Sequence, residues 1–520
     1  MNRAETMARL ADRRTTWDVV VVGGGATGMG VAVDAAARGY RTALLEQADF
    51  GKGTSSRSTK LVHGGVRYLQ QGNVSLVIEA LRERGLLMKL APHLVSNLRF
   101  VVPNYAWWEA PFYGIGMKVY DLLAGRFGFG PSKVLSKEDT LRALPTIKTD
   151  GLRGGVQYYD GLFDDSRLLV NLAQTAVEHG AAVANYVRVE RLRKNPEGLV
   201  TGVVALDLEG GVELELSARV VVNATGPFSD ALRLADDPSL KPIIAPSQGA
   251  HIVLPKSFLP GDSAIMVPHT ADGRVMFAIP WHDHVVVGTT DVEIDHVPLD
   301  PRPMADEIDF ILETAAEYLA RPATRADVLS AFAGIRPLVR AGDGTSTAAL
   351  SRDHHLEIAP SGLVTICGGK WTTYRHMAED TVDQAAIVAG LPERPCPTRE
   401  LSIHGSAESL PPEDPLAVYG ADAIAIRSLA GTSGRLGRQL DPALPIVAAQ
   451  VAWAAQHEMA RTVEDVLCRR TRAAFLNARA ALAMAPEVAV LLANELGKDQ
   501  AWAAAQVEAF RPIGESFLVS

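Results

Sequence analysis

The period of the hydrophobic pattern changes several times along the chain, and each change predicts an element. Val19 to Val22 is a short β-branched apolar run, which predicts a buried parallel strand. It breaks into Gly23-Gly24-Gly25-Ala26-Thr27-Gly28, and an Ala-rich stretch of helical length then closes at Gly39, a residue suited to a C-cap. A second strand, Arg41 to Leu45, ends on Glu46. A helical pattern from Leu168 to Glu178 precedes strand-like runs at 182–189, 200–208 and 212–216. RVVVNATGPFSD, residues 219–230, predicts a further buried strand opening into Ala224, Thr225 and Gly226. Residues 247–294 hold four more strand candidates, HIVLP, AIMVP, VMFAIP and HVVVGTTDV. After a helical stretch at 304–319 comes AFAGIRPLVR, and LVTICGGKWTTYRHMAEDTV then repeats strand, glycine turn, helix. Helical periodicity returns at 445–468 and 470–496.

This order predicts an α/β protein: a Rossmann-like nucleotide-binding domain, an inserted antiparallel β substrate domain and a C-terminal α-helical domain. Residues 1–16 read as a disordered or loosely helical tail. The main region spans 17–391, with nucleotide-binding parts at about 17–95, 150–240 and 350–391 and substrate parts at about 96–149 and 241–349. PERPCP, residues 392–397, reads as a linker, and 398–520 as a separate helical domain.

Gly23, Gly25 and Gly28 fit G-x-G-x-x-G in its proper setting, between a strand and a helix. The three glycines would serve a tight turn, close backbone approach to a pyrophosphate, and helix-to-strand packing. The helix N-terminus beginning at Ala26 and Thr27 offers N–H groups to that pyrophosphate, and Glu46 stands where a ribose would be held. The following stretch, 53–72, is rich in hydrogen-bonding groups and poor in core formers, with Thr54, Ser55, Ser58, Lys60, His63, Gly64 and Gly65. It reads as a binding loop beside the nucleotide. The motif alone does not separate FAD from NAD.

A net charge of −9 gives no basic surface for nucleic acid, so a nucleic-acid role is not expected. Three cysteines without a C-x-x-C pair suit a reducing compartment. With no long charge-free apolar run, no spanning helix is expected, and the cytoplasmic side is the expected location. Residues 105–129 are dense in aromatics, which suits either a packed interface or a surface lying at lipid headgroups.

Taken together, GGGATGMG, GTSSRSTKLVHGGVRYL, VNATGPFSD, HIVLP, IPWHDHVVVGTTDVE, GIRPL, SRDH and GGKWTTYRHMAED resemble the FAD-dependent glycerol-3-phosphate dehydrogenases, within the wider D-amino-acid-oxidase-like flavoproteins. The resemblance runs from Asp18 to about Asn477. It implies non-covalent FAD, held by the glycine motif, the 53–65 loop, Ala224 to Gly226, and Gly368, Gly369, Lys370 and Thr372. It further implies a substrate pocket of Arg67, Tyr68, His251, Thr289, Arg336, Arg352 and Lys370, with His251, Arg336 and Lys370 catalytic and His63 the rival for the base. No D-x-D-x-D-G loop occurs, so the calcium-binding extension of the mitochondrial relatives is not expected, and the bacterial form is.

The implied reaction is hydride transfer from C2 of sn-glycerol 3-phosphate to flavin, giving dihydroxyacetone phosphate, with electrons leaving to a membrane quinone. The partners implied are the substrate, quinone, the inner face of the cell membrane through a peripheral contact and, with no sequence signal of its own, a second copy in a homodimer. Alternatives are an oxidase that uses oxygen and a flavin-binding module without turnover. Two stretches compete for the membrane contact: the aromatic one from Tyr105 to Phe129, and CRRTRAAFLNARAALAM, with Arg469, Arg470, Arg472 and Arg479 beside Phe475 and Leu476.

Overall fold

The fold is that of a computed structural model, which describes residues 1–66, 73–268, 270, 273–340, 354–407, 410–411 and 414–519. Its first strand, Thr16–Val22, lies at the centre of a sheet, between Thr42–Leu45 and Val212–Asn223 and parallel to both. Ala182–Ala184 and Val364–Gly368 extend the parallel set outward, and His354–Ile358 closes one edge antiparallel. The period of two decides what each strand residue touches. Val19 and Val21 face a core built with the helices Ala26–Ala37, Asp165–Glu178 and Tyr374–Val388. Val20 and Val22 face the opposite core, covered by the hairpin Val187–Lys194/Val200–Asp207 and by a helix at Arg3–Ala11.

That last helix corrects the expectation of a loose tail. Leu10 is buried, Arg3 pairs with Asp207 at 2.8 Å, and Arg9 donates to the carbonyl of Gly180 at 2.7 Å. Arg3 and Arg9 thus anchor the helix to the ends of neighbouring strands.

The second sheet has the spatial order Val292–Glu293, Ile244–Pro255, His284–Gly288, Met276–Trp281, Ser263–Val267, Val95–Asn104, Gly154–Phe163, Leu61–Val62. Ser330–Val339 also pairs with Ile244–Pro255, over ten residue pairs. The sheet is antiparallel except where Ser263–Val267 runs parallel to Val95–Asn104. Its boundaries differ from those expected: Leu61–Val62 and Gly154–Phe163 belong here, so the chain enters this sheet before 96 and leaves it after 149. Helices Val74–Leu90 and Glu109–Ala124 cover one part of it, packing on Phe100, Tyr158 and Ile279.

The C-terminal region is helical, with Ala423–Gly431, Ala448–His457, Ala478–Leu496 and Gln500–Glu515, plus a small hairpin, Gln439–Asp441/Leu444–Val447. It is not separate. Val253, Trp281, Val286 and Phe332 of the second sheet share one core with Val466, Phe475, Val488 and Phe510. Among the described residues, no helix is long and apolar enough to cross a membrane.

Candidate active site

Two cavities meet between the sheets. The first, of about 370 Å³, opens at the carboxyl ends of the parallel strands. Gly23 has φ +110°, and a Cβ there would stand 2.6 Å from the carbonyl oxygen of Ala224. A Cβ on Gly28 would stand 2.0 Å from the oxygen of Gly23, so this glycine packs helix against strand and does not line the cavity. Gly25, Ala26, Thr27, Thr54 and Ser55 form one wall. Ser55 Oγ accepts the Ala26 N–H at 2.9 Å, tying the 53–65 loop to the helix N-terminus. Glu46 accepts from the backbone of Gly24 at 2.6 Å and of Ala48 at 2.8 Å, which fixes its carboxylate at the rim. Burial raises its pKa, against the pull of those two backbone donors. Ala224, Thr225 and Gly226 stand opposite. A glycine cradle too tight for any Cβ, a helix N-terminus and a strand-end carboxylate fit a dinucleotide, as the sequence predicts.

The second cavity, of about 310 Å³, adjoins the first, with Thr54, Pro337, Gly368, Gly369, Lys370 and Trp371 walling both. Lys370 thus sits at the junction. His251 comes from within the strand Ile244–Pro255, opposite Gly288, Thr289 from just past the end of the neighbouring strand His284–Gly288, and Arg336 from the strand Ser330–Val339. Arg336 lies flat over Gly249, where a Cβ would be 2.4 Å from its Nη2, so the missing side chain makes room for the guanidinium. It donates to Thr289 Oγ1 at 2.9 Å and to the Thr290 carbonyl at 3.0 Å, and pairs with Asp291 at 3.3 Å.

His251 is buried and stacks on Phe332 at 4.9 Å. Its Nε2 shares a 2.9 Å hydrogen bond with Thr59 Oγ1, and its Nδ1 meets no partner among the described residues. Burial, followed by the positive charges of Arg336 and Lys60, holds its pKa well below the ordinary value. It is therefore a neutral imidazole at neutral pH. Ser58, His63, Gly65 and Thr372 line the same cavity, and Thr372 Oγ1 accepts the His63 N–H at 3.2 Å.

Besides Gly28, two residues expected at the cofactor are elsewhere. Lys60 is fully buried and lines neither cavity. Its Nζ donates to Asp165 at 2.7 Å and to the Ser56 carbonyl at 2.8 Å, among the rings of Trp281, Phe332 and Phe475. Gly64 is packed against Tyr120 and Leu81, and its N–H donates to the Tyr120 hydroxyl at 2.8 Å. Arg67, Tyr68 and Arg352 lie outside the described residues. Sequence reading missed Arg57, Thr59, Arg274 and Asp291, all on the second cavity. Thr59 lies inside the loop already singled out, whereas Arg274 follows Gly273 with no pattern to mark it.

The family described as FAD dependent oxidoreductase matches residues 18–375, and the C-terminal domain of alpha-glycerophosphate oxidase matches 364–503. Fold, cleft and match together define an FAD-dependent oxidoreductase. The chain is 42% identical to glycerol-3-phosphate dehydrogenase, mitochondrial, of Rattus norvegicus, over 92% of this chain and 70% of that protein. For the Homo sapiens protein of the same name the identity is 40%, over 95% and 72%. The chain belongs to the FAD-dependent glycerol-3-phosphate dehydrogenase family. The structure of the glycerol-3-phosphate dehydrogenase from Bacillus halodurans complexed with FAD superposes with a TM-score of 0.81 at 29% identity, covering 99% of this chain and 97% of that one. The FAD-bound L-alpha-glycerophosphate oxidase from Mycoplasma pneumoniae shares the fold, with a TM-score of 0.58 at 18% identity, over 74% of this chain and 97% of that one.

Proposed function

We propose that this protein oxidises sn-glycerol 3-phosphate to dihydroxyacetone phosphate and passes the electrons to a membrane quinone. The observation that carries the reading is the convergence of Arg336, His251 and Lys370 on one cavity that shares a wall with the nucleotide cleft. Bound FAD supplies the hydride acceptor. Oxidation removes two electrons and two protons: the C2 hydride leaves for the flavin, and the hydroxyl proton needs a base. The neutral His251 can take it at Nε2, now held by Thr59. Arg336 offers the planar fork that grips a phosphate dianion, and the arriving dianion would offset one of the charges that depress His251. Lys370 brings an ammonium to the junction, where negative charge grows on reduction.

Support for a membrane acceptor comes from the helix Glu109–Ala124 and its flanks. Trp107, Ile115 and Leu122 are 77%, 70% and 80% exposed, and Trp108, Phe112, Val119 and Val134 are exposed with them. A contiguous set of large apolar side chains facing water suits insertion into the headgroup region, with tryptophans at the interface. Exposed Lys118, Arg126 and Lys133 add charge that matches an anionic bilayer. The opposite side of the same helix reaches the cavity wall, since the Tyr120 hydroxyl donates to Asp160 at 3.0 Å and Asp160 lines the cavity. The enzyme would therefore work on the inner face of the cell membrane, bound peripherally. Anaerobic mixing with glycerol 3-phosphate should bleach the flavin, and an oxygen electrode should register slow oxygen use beside fast reduction of a soluble quinone analogue. No bleaching leaves a binding module, and stoichiometric peroxide without quinone preference leaves an oxidase.

A further inference from the structure

Next to the glycine turn, and lining neither cavity, lies a group of side chains that the reaction does not use. His354 stands at the start of the edge strand His354–Ile358, where it pairs in register with Gly368. His376 and Asp380 are one turn apart on the helix Tyr374–Val388, and Glu79 comes from the helix Val74–Leu90. His354 Nε2 is 2.9 Å from Asp380 Oδ2, His376 Nδ1 is 3.7 Å from the same oxygen, and His376 Nδ1 is 3.3 Å from Glu79 Oε1. The ligand atoms of His354, His376 and Asp380 all lie within 4.8 Å of one another. Among the described residues this is the one group of three or more histidine, cysteine or carboxylate side chains whose ligand atoms converge in this way.

The spacing suits a small cation. With metal–nitrogen and metal–oxygen bonds of about 2.0–2.2 Å, two ligand atoms around a tetrahedral ion are about 3.3 Å apart. Within the converging triad the two contacts to Asp380, at 2.9 and 3.7 Å, bracket that value, so side-chain rotation would seat an ion, and Glu79, 3.3 Å from His376, would turn toward it. Two neutral imidazoles and two carboxylates carry a charge of −2, which one divalent ion neutralises. Mixed nitrogen and oxygen donors select transition ions over calcium or magnesium. The four side chains are each between one-fifth and two-fifths exposed, so an ion can reach them from solvent.

We propose that His354, His376 and Asp380 form the core of a binding site for one divalent transition ion, of which zinc is the natural occupant, with Glu79 swinging in from beside His376 as a fourth ligand. Its place suggests a bracing role. A Cβ on Gly369 would be 3.4 Å from the Cβ of His354, so the site holds the rear of the turn that presents Lys370. An ion there would add a tie between the edge strand and the two helices, themselves already joined by the buried two-point pair of Arg375 with Glu83.

The test uses the flavin-loaded enzyme, dialysed against chelator and titrated with Zn²⁺ by calorimetry, and with Co²⁺ by visible absorption. One equivalent should bind, Co²⁺ should develop the intense bands of a low-symmetry nitrogen–oxygen site, and the ion should raise Tm. His376→Ser and Asp380→Asn should each weaken binding at least tenfold and abolish the rise in Tm, while the metal-free Tm stays close to that of the parent. A parent protein that binds no ion stoichiometrically, or variants that bind it as tightly as the parent, would overturn the site. Should either single variant fold poorly, Glu79→Gln on the other helix provides the same comparison. Because binding is read directly, failure here is distinct from failure of the proposed oxidation.

Discussion

The aromatic stretch from Tyr105 to Phe129, with its helix Glu109–Ala124, and the cationic segment 468–484 both promise, as sequence, a surface for lipid, and they turn out to be opposites. The first keeps one face in the core through Tyr113, Met117, Tyr120 and Ala124 and turns Phe112, Ile115, Val119 and Leu122 to water. The second is interior. Arg469, Arg470 and Arg472 are buried, as are Phe475 and Leu476. Arg470 holds Asp49 through both carboxylate oxygens, at 2.7 and 2.9 Å. Arg469 joins it from the side, also binding Glu464 and Asp465, and Arg472 pairs with Asp164 at 2.6 Å. Three of the four arginines named for a membrane contact are thus held by internal carboxylates, and Arg479 alone of the four is exposed. Basic residues next to apolar ones describe a headgroup-binding helix only when the charges lack partners, and here each buried arginine has a carboxylate.

The sharpest way to separate the two regions is to damage each and ask what fails. Arg470→Ala removes the two-point partner of Asp49, leaving that buried carboxylate to Arg469 and Asn185, and should cost up to about 3–5 kcal/mol of stability, read from urea unfolding, with vesicle binding of the surviving folded protein unchanged. Replacing Ile115 and Leu122 by Glu should do the reverse. Vesicle affinity should fall by about tenfold or more in sedimentation, since burial of each side chain would contribute on the order of 1.5–3 kcal/mol, while Tm stays put. If the double variant still sediments with anionic vesicles, the exposed face is not the contact.

Arg336 sharpens the contrast from a third position, a guanidinium at a cavity wall instead of in a core. Arg336→Lys should raise KM for glycerol 3-phosphate by a factor corresponding to about 1.5–3 kcal/mol, with the flavin spectrum unchanged. An unaltered KM and turnover would remove it from the substrate. The last test concerns pH. Burial raises the Glu464 carboxyl, but the charges of Arg469 and Lys52 outweigh it and hold the group down to about 2. Its contribution to stability is therefore present above the unfolded value, near 4.3, and is lost as pH falls toward about 2. Glu464→Gln should flatten the acid limb of the stability profile over that window.

Local pattern carried the first βαβ unit, because Val19 to Val22, the glycines and Glu46 act on neighbours in sequence. It also placed Ala224 to Gly226 and the Gly368-Gly369 turn at the cleft. Lys60 shows where this stops. A lysine in a loop of serines and threonines looks like a phosphate ligand, and only Asp165, 105 residues away, makes it an internal ion pair. The same holds for Arg469 and Arg470, whose partner Asp49 lies at the other end of the chain. The aromatic stretch is a different failure, since its three- and four-residue spacing already sorts buried from exposed positions, and treating it as one block hid the sorting.

The Asp49 pairing also bears on how the chain is made. Asp49 leaves the ribosome 420 residues before Arg469 and 421 before Arg470. Until those arginines are synthesised, the turn after the second strand holds a carboxylate bound for the interior without its counter-charge. The strands on the far side of Thr16–Val22 arrive late as well, at Val212–Asn223 and Val364–Gly368. The nucleotide-binding half therefore cannot reach its final form before residue 470 has been made, however early its sequence appears, and a nascent chain stopped at 398 would expose an unfinished core to chaperones and proteases.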